Sequence, residues 1–446
     1  MERNLKYGKA SFEGKLPYLF SRPEDFSEKK KYPVILFLHG AGTRGSDLAR
    51  LEKNGCFRDI LEMAGEKCLI FAPQCAKGAW FAIMPDLVAF CEHIRALPEV
   101  DASRFYLTGN SMGGSGTWDL SYLHPEFFAA TAPLCGSGRK GYSKKLTDLP
   151  IWVFHGLLDP TVPCEESILM VKAINERGGN AKFTPFETLE HDCWSTVYKM
   201  PALYEWMLSH VQGENVTRQE ESEEEPIVAE HPYTVETFAG KRRYLLSRPS
   251  DFSPGCRYPV ILFLHGSGER GQNTEKLEAH STWRHLRQMA GERCILVSPL
   301  CDGVDWNENM PDLIALCEHL RALPEVDPSR FYLTGISMGG NGAWELAMLR
   351  PHFFAAVAPI CGMGIGGFAK RLVGVPVWAF HGMLDPLVLC EESIRTVSVV
   401  NRSGGHARLT LYETLKHNSW DAAYTTPELY EWMLSCTKKD DAPAET

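Results

Sequence analysis

The chain has 446 residues, a formal net charge of −10 and 14 cysteines. This length suits two or three domains, each large enough to bury a core without disulfides or metals. Much of the charge lies in residues 211–230, which carry seven Glu against one Arg and which we interpret as a solvated linker. The sequence has no basic stripe suited to a nucleic acid and no apolar run long enough for a membrane span, so neither partner is expected.

Short apolar runs alternate with helical patterns along the chain, which indicates α/β domains with mostly parallel strands flanked by helices. The first of two similar halves has a predicted antiparallel entry hairpin within residues 7–20. Its predicted helices are 86–97 and 165–179, and the second of them ends in Gly-Gly. Its predicted strands are 32–40, 68–74, 104–110, 128–136, 151–156 and 181–189. The connection between the strands at 128–136 and 151–156 is short, so no large lid is expected.

The second half repeats the first at a fixed offset of 226 positions. Gly-Asn-Ser-Met-Gly around Ser111 returns as Gly-Ile-Ser-Met-Gly around Ser337, and His39-Gly-Ala-Gly returns as His265-Gly-Ser-Gly. So long a period indicates a duplicated globular domain rather than a solenoid, and we expect the two domains to pack on each other. The predicted organisation is domain 1 at 1–210, the acidic linker at 211–230, domain 2 at 231–436 and a polar tail at 437–446.

Each half carries a candidate serine nucleophile. The serine follows an apolar strand directly and precedes a helical segment, and its flanking glycines allow the sharp turn of a nucleophile elbow. A serine hydroxyl needs a base to take its proton, and the base needs an acid to orient it. A histidine after the last strand and an aspartate after the preceding strand supply them in the same order in both halves. The predicted triads are Ser111, Asp159 and His191, and Ser337, Asp385 and His417.

An oxyanion hole needs two backbone N–H groups aimed at the developing charge. One is expected from the residue after the nucleophile and the other from the glycine-rich turn after the first parallel strand. We interpret the histidines of that turn, His39 and His265, as structural. The predicted donors are Ala41 and Met112 in the first half and Ser267 and Met338 in the second.

Two further pairs of residues have alternative interpretations. Trp80 and Trp306 follow the second parallel strand, where an aromatic ring could bind substrate by stacking on an aromatic or sugar group or could complete the core. Arg44 and Arg270 lie in the loop after the glycine-rich turn, where they could anchor that loop or contact a substrate.

Each half resembles the α/β-hydrolase superfamily, in its compact branch of feruloyl-esterase-like and dienelactone-hydrolase-like enzymes. The resemblance implies a serine esterase that works through an acyl-enzyme, without cofactor or metal, on small-molecule or saccharide esters. Dienelactone hydrolases use a cysteine nucleophile, so serine at positions 111 and 337 favours ordinary ester hydrolysis. The similar segments of the first half are LFLHGAGTRG, LTGNSMGGSGTW, FAATAPLCG, VFHGLLDPTVP and EHDCW.

Two other functions remain open from the sequence. The superfamily includes peptidases, so amide cleavage is one alternative, and a decayed half kept as a scaffold or binding module is another. The N-terminus has no apolar signal-peptide core, and the cysteines lie mostly in apolar patterns without a CxxC pair, so we expect a reduced, cytoplasmic protein. The halves differ near the expected chemistry at Asn110 and Ile336, Ala41 and Ser267, and Asp192 and Asn418.

Overall fold

Two separate eight-stranded sheets form the framework of the protein. The computed structural model describes residues 6–213, 233–240 and 242–438. The chain divides into two compact units, unit 1, Met1–Glu220, and unit 2, Glu221–Thr446. Most of the predicted acidic linker and polar tail lies outside the described residues.

The sheet of unit 1 is mostly parallel. Its strands are β1 Gly8–Phe12, β2 Leu16–Ser21, β3 Tyr32–Leu38, β4 Leu69–Pro73, β5 Val100–Asn110, β6 Ala130–Leu134, β7 Trp152–Gly156 and β8 Lys182–Phe186. They are ordered β1-β2-β4-β3-β5-β6-β7-β8 across the sheet. The hairpin of β1 and β2 pairs with β4 through β2, in antiparallel fashion. The other six strands, β3 to β8, run parallel to one another.

Unit 2 has the same strand order and the same directions. Its strands are β9 Tyr233–Phe238, β10 Arg242–Ser247, β11 Tyr258–Leu264, β12 Ile295–Pro299, β13 Val326–Ile336, β14 Ala356–Ile360, β15 Trp378–Gly382 and β16 Arg408–Tyr412. Each central strand therefore ends at the same edge of its sheet, where loops from neighbouring strands meet.

Helices flank both sheets. In unit 1 they are α1 Ala49–Glu52, α2 Gly55–Ala64, α3 Met84–Arg95, α4 Met112–Leu123, α5 Glu165–Asn175, α6 Trp194–Val197 and α7 Pro201–Leu208. In unit 2 they are α8 Thr274–Glu278, α9 Ser281–Ala290, α10 Met310–Arg321, α11 Met338–Leu349, α12 Cys390–Arg402, α13 Trp420–Tyr424 and α14 Pro427–Ser435. Short 3₁₀ turns occur at Ala41–Thr43, Trp80–Ile83, Pro125–Phe127, Lys140–Lys145, Ser267–Glu269 and Gly366–Leu372.

The apolar strands form the centre of each core. All seven residues of β3 are buried, as expected for a parallel strand covered on both faces. Between β6 and β7 the chain forms only the short turn Lys140–Lys145, and the equivalent connection in unit 2 is the turn Gly366–Leu372. The fold is therefore two tandem α/β-hydrolase domains without a large lid, as the sequence predicts. Among the described residues, no helix combines the length and apolarity needed to cross a bilayer.

Candidate active site

Each predicted nucleophile lies in a sharp turn between the longest strand and the following helix. Ser111 joins β5 to α4 with φ 56° and ψ −117°, and Ser337 joins β13 to α11 with φ 52° and ψ −117°. A positive φ on a residue other than glycine stores on the order of 1–3 kcal/mol of strain. The Ser111 N–H donates to the Leu134 oxygen over 2.8 Å, which ties the turn to β6.

The glycines on either side of Ser111 are required by close backbone contacts. A Cβ atom on Gly109 would lie 2.4 Å from the Gly113 oxygen, and one on Gly113 would lie 1.8 Å from the Leu38 oxygen. The equivalent glycines of unit 2 have the same contacts at 2.3 and 1.9 Å. The first turn of the helix therefore packs directly on the ends of β5 and β3, which holds the serine at the sheet edge.

The three predicted residues of unit 1 form one hydrogen-bonded chain. Ser111 Oγ lies 2.8 Å from His191 Nε2, and His191 Nδ1 lies 2.6 Å from Asp159 Oδ2. The ionised carboxylate only accepts, so Nδ1 carries the ring proton and Nε2 is left to accept from the serine hydroxyl. Unit 2 has the same chain. Its Ser337–His417 and His417–Asp385 distances are 2.8 and 2.7 Å.

The predicted acid of unit 1 is buried, and both of its carboxylate oxygens accept hydrogen bonds. Asp159 Oδ1 accepts from the backbone N–H groups of Thr161 and Val162, at 2.8 and 2.9 Å, and Oδ2 accepts from His155 Nε2 at 3.1 Å as well as from His191. Burial alone would raise the pKa of Asp159, but these hydrogen bonds hold its pKa well below the usual range. The carboxylate therefore stays charged and can orient and stabilise a protonated imidazole.

The predicted oxyanion donors begin a helix and a 3₁₀ turn beside the nucleophile. Met112 is the first residue of α4 and Ala41 the first residue of its 3₁₀ turn. A Cβ atom on Gly40 would lie only 3.6 Å from Ser111 Cβ, so this turn starts next to the serine. Within the described residues no acceptor is recorded for either N–H. Unit 2 places Met338 and Ser267 at the same positions.

A buried histidine supports the turn Ala41–Thr43, which carries a predicted oxyanion donor and which, with its counterpart Ser267–Glu269, we call the oxyanion turn. The Cys75 N–H donates to His39 Nε2 over 3.0 Å, so the ring proton lies on Nδ1, which donates to the Gly40 oxygen over 2.8 Å. Burial lowers the pKa of His39 to about 4. His265 has the equivalent contacts, and burial lowers its pKa to about 4 as well. The neutral ring thus links β3 and the β4 loop to the turn.

The prediction that Trp80 and Trp306 bind substrate is wrong. Their exposed fractions are 0% and 1%, so no ring face is open to a ligand. Each indole N–H donates to a backbone oxygen over 3.0 Å, that of His39 or that of His265. A Cβ atom on Gly116 would lie 2.8 Å from Trp80 Cβ, which shows how tightly α4 covers the ring. Both tryptophans belong to the core, and they brace the oxyanion turn from below.

The arginine of the same loop is also an anchor. Arg44 Nε donates to the Ala41 oxygen at 3.2 Å, and one of its terminal nitrogens donates to the Gly78 oxygen at 2.9 Å. Arg270 makes the equivalent pair of bonds in unit 2, at 3.0 and 2.9 Å. The guanidinium therefore joins the oxyanion turn to the loop that follows the second parallel strand.

Sequence reasoning assigned no role to the tryptophan that follows the base by three residues. Trp194 lies edge-on to the His191 ring, with centroids 5.0 Å apart and planes at 85°. Trp420 lies in the same way against His417, at 5.5 Å and 87°. These contacts pack an indole edge-on against the imidazole in each unit and limit its movement. Their signal was the recurrence of a tryptophan at this spacing in both halves.

One group of side chains near the acid has donor atoms that could hold a metal. Cys135, His155 and Asp159 each offer one ligand atom, and these three atoms lie within 4.8 Å of one another. However, the Asp159 oxygens already accept from two histidines and two backbone N–H groups, and His155 Nδ1 lies 2.7 Å from Ser167 Oγ. A cation here would compete with the base for its acid, so we interpret the group as support for the triad.

Comparison with known proteins yields esterases and peptidases. Feruloyl esterase C of Emericella nidulans is 28% identical over 168 residues, which is 37% of this chain and 62% of that protein. Dipeptidyl-peptidase 5 of Porphyromonas gingivalis is 30% identical over 243 residues, which is 43% of this chain and 35% of that protein. The crystal structure of a thermostable esterase is 29% identical, with a TM-score of 0.42, and the match covers 46% of this chain and 63% of that one. The chain spans about half the length of the curated feruloyl esterases it matches.

The dienelactone hydrolase family model matches both units. It aligns with residues 70–196 in unit 1 and with residues 291–423 in unit 2. Each match includes the predicted nucleophile, acid and base of its unit, and together the two matches cover more than half of the chain. The chain therefore belongs to the dienelactone hydrolase family, as two tandem copies.

Proposed function

We propose that each unit is a serine carboxylic-ester hydrolase that acts on short acyl or hydroxycinnamoyl esters of sugars or small alcohols. The observation that carries the proposal is the unbroken Ser–His–Asp hydrogen-bonded chain beside two backbone N–H groups, found once in each unit. Membership of the family and similarity to feruloyl esterases support the reaction class. The short connection after β6 supports an open site that admits acyl groups displayed on bulky alcohols.

The proposed reaction in unit 1 follows from the geometry. His191 Nε2 takes the proton of Ser111 as Oγ attacks the ester carbonyl, and the N–H groups of Ala41 and Met112 bind the resulting oxyanion. The charged carboxylate of Asp159 offsets the positive charge of the imidazole in this step. The imidazole then protonates the leaving alcohol, and a water molecule activated by His191 releases the acid from the acyl-enzyme. Unit 2 carries the same steps with its own triad.

A fluorophosphonate probe tests the number of working sites. Such a probe phosphonylates an activated serine, and each adduct adds a fixed mass to the intact chain. We expect two adducts on the wild-type chain, one on Ser111→Ala or Ser337→Ala, and none on the double variant. Ser209→Ala, which removes an exposed serine at the end of α7, serves as the control and keeps both adducts. Labelling of the double variant at the wild-type level contradicts the proposal, and a single adduct on the wild type indicates that one half is inactive.

A second candidate function is peptide hydrolysis. Similarity to dipeptidyl-peptidase 5 of Porphyromonas gingivalis favours it, and the same triad chemistry cleaves amides in other serine enzymes. The two functions separate by comparing kcat/KM for an aryl ester with kcat/KM for the matching dipeptidyl aryl amide. The esterase proposal requires a strong preference for the ester, and an equal or higher value for the amide favours the peptidase.

A further inference from the structure

We propose that the Ser337 site selects esters that carry an extended apolar group, whereas the Ser111 site does not. The inference rests on the proposed function and names the substrate class of one of its two sites. It is drawn from five exposed apolar side chains of unit 2, which we call the apolar rim. Their exposed fractions run from 46% to 74%, and they are Met363, Ile365, Phe368, Leu387 and Leu389.

The apolar rim belongs to the two loops that surround the triad of unit 2. These loops leave the carboxyl ends of β14 and β15, next to β13, whose end carries Ser337. The Met363 N–H donates over 2.7 Å to Asn341 Oδ1, and Asn341 lies on the first turn of α11, where its own N–H bonds to the Ser337 oxygen. The Leu387 N–H donates over 2.8 Å to Oδ1 of Asp385. Hydrogen bonds thus attach both rim loops to the triad and its helix.

Unit 1 provides an internal comparison because its fold and triad are the same. The positions equivalent to Met363, Ile365, Leu387 and Leu389 are exposed in unit 1 as well. The position equivalent to Phe368 is Tyr142, whose ring stacks on Tyr122 at 4.2 Å and whose hydroxyl donates to Asp119 at 2.7 Å. Apolar side chains are therefore not needed here for the fold. The unit 1 residues at the five positions are Ser137, Arg139, Tyr142, Thr161 and Pro163.

The same contrast continues beside the nucleophile. Asn110, which precedes Ser111, is 4% exposed, and within the described residues its Oδ1 has no hydrogen-bond partner. The equivalent residue of unit 2 is Ile336, which is 1% exposed and packs in the apolar core. An added Cβ on Gly40 or Gly266 would contact this side chain in either unit, so it lies under the oxyanion turn. At these positions unit 2 thus carries larger apolar side chains than unit 1, both below the turn and on the two rim loops.

An apolar surface around a candidate active site binds the apolar part of its substrate. Large exposed apolar patches on soluble domains mark binding sites, and this one is continuous with the loops of the triad. Full burial of one methylene strengthens binding about fourfold, so half-burial on an open rim gives about twofold. Four added methylenes should therefore raise kcat/KM at the Ser337 site on the order of tenfold.

The test measures each site alone. Ser111→Ala leaves only the Ser337 site and Ser337→Ala leaves only the Ser111 site. The substrates are p-nitrophenyl esters from acetyl to octanoyl and, as a second series, acetate esters of alcohols of increasing length. We expect the octanoyl-to-butanoyl ratio of kcat/KM, or the corresponding ratio in the alcohol series, to be about tenfold higher at the Ser337 site than at the Ser111 site.

Exchange of equivalent residues sharpens the test. In the Ser111→Ala background, Leu387→Thr should lower the length ratio about threefold. In the Ser337→Ala background, the reverse change Thr161→Leu should raise it by a similar factor. Val235→Thr removes an exposed apolar side chain from β9, remote from the triad, and is the control that keeps the ratio of its background.

The outcomes separate this inference from the proposed function. Absence of turnover on every ester at both sites contradicts the function itself. Turnover with the same length ratio at both sites, in both series, overturns the inference and leaves the function intact. A rim substitution that changes the oligomeric state but not the ratio also overturns it, because the apolar rim would then be a protein contact.

Discussion

We predict that replacing His39 by glutamine removes much of the acid sensitivity of unit 1. His39 is buried, and its ring accepts from the Cys75 N–H and donates to the Gly40 oxygen. Protonation would turn the accepting nitrogen into a donor that faces another donor. Burial lowers the pKa of His39 from 6.5 to about 4, so between these values the unfolded chain binds a proton that the folded chain does not. The free energy of unfolding therefore falls as pH drops below 6.5 and levels off near pH 4.

The magnitude follows from the size of this shift. A pKa difference of about 2.5 units, at roughly 1.4 kcal/mol per unit, corresponds to about 3 kcal/mol in all. Most of it, on the order of 2.5 kcal/mol, is lost between pH 7.5 and 4.5. The low pKa of Asp159 has the opposite dependence: its stabilising effect is present above the ordinary pKa of about 4 and is lost only below it. Above pH 4.5 the difference between His39→Gln and the wild type therefore reports on His39 without a contribution from Asp159.

The assay is urea unfolding of the full chain at pH 7.5, 6.5, 5.5 and 4.5, with each unit's transition fitted separately. His39→Gln should flatten the pH dependence of the unit 1 transition by about 2 kcal/mol or more over this range and leave unit 2 unchanged. His265→Gln, the matched variant, should flatten only unit 2, since burial gives it the same lowered pKa. If the unit 1 transition of His39→Gln has the wild-type pH dependence, the reasoning about the buried ring is wrong.

Three further variants test the architecture of unit 1 in a chain whose second site is inactivated. Asp159→Asn should lower kcat by about four orders of magnitude with little change in KM, because the imidazole loses the acceptor that fixes its tautomer; a smaller loss than tenfold argues against the triad. Gly113→Ala places a methyl group 1.8 Å from a backbone oxygen of β3 and should abolish folding or activity, whereas Gly42→Ala, with nothing within 4 Å, should affect neither, as thermal melts and turnover will report. Trp80→Phe should reduce the free energy of unfolding by about 1 kcal/mol through loss of the bond to the His39 oxygen, and an aryl-ester KM that rises instead, at unchanged stability, would restore the stacking interpretation.

The strands could be predicted because each is a short apolar run that is buried on both faces. Residues 32–40 contain β3 almost whole, and 151–156 contain β7. β5 begins earlier than predicted, at Val100 rather than 104. Val100 pairs with Tyr32 of β3, and the register shifts before Phe105 pairs with Val34, so the strand includes the partly buried polar segment between Val100 and Phe105. Helix α2 was not predicted; its start depends on Asn54, whose side chain accepts from the Phe57 N–H.

The surroundings of the triad were harder to predict from the sequence than the triad itself. The predicted nucleophile, acid and base of the first half all recur 226 positions later in the second half, so they could be recognised from the sequence alone. The bond between Cys75 and His39 joins residues 36 positions apart, and the packing of Gly116 on Trp80 depends on how α4 lies over the sheet. A tryptophan after a strand is compatible with a rim or a core position, and only the three-dimensional packing decides between them.

Comparison of the two units distinguishes residues that the fold and the proposed chemistry require from residues that can change with the substrate. Residues whose backbone contacts leave no room for change, such as the elbow glycines, are the same in both units, and so are the buried histidine and tryptophan under the oxyanion turn. The rim residues that differ lie on exposed loops, where side chains make few bonds that the fold needs, and Asn110 and Ile336 differ beneath the oxyanion turn. A half retained only as a scaffold would have no reason to keep a strained serine at φ 52° beside a buried, charged acid. The retained strain thus supports the proposal that both sites work, and the altered rim supports the proposal that they act on different esters.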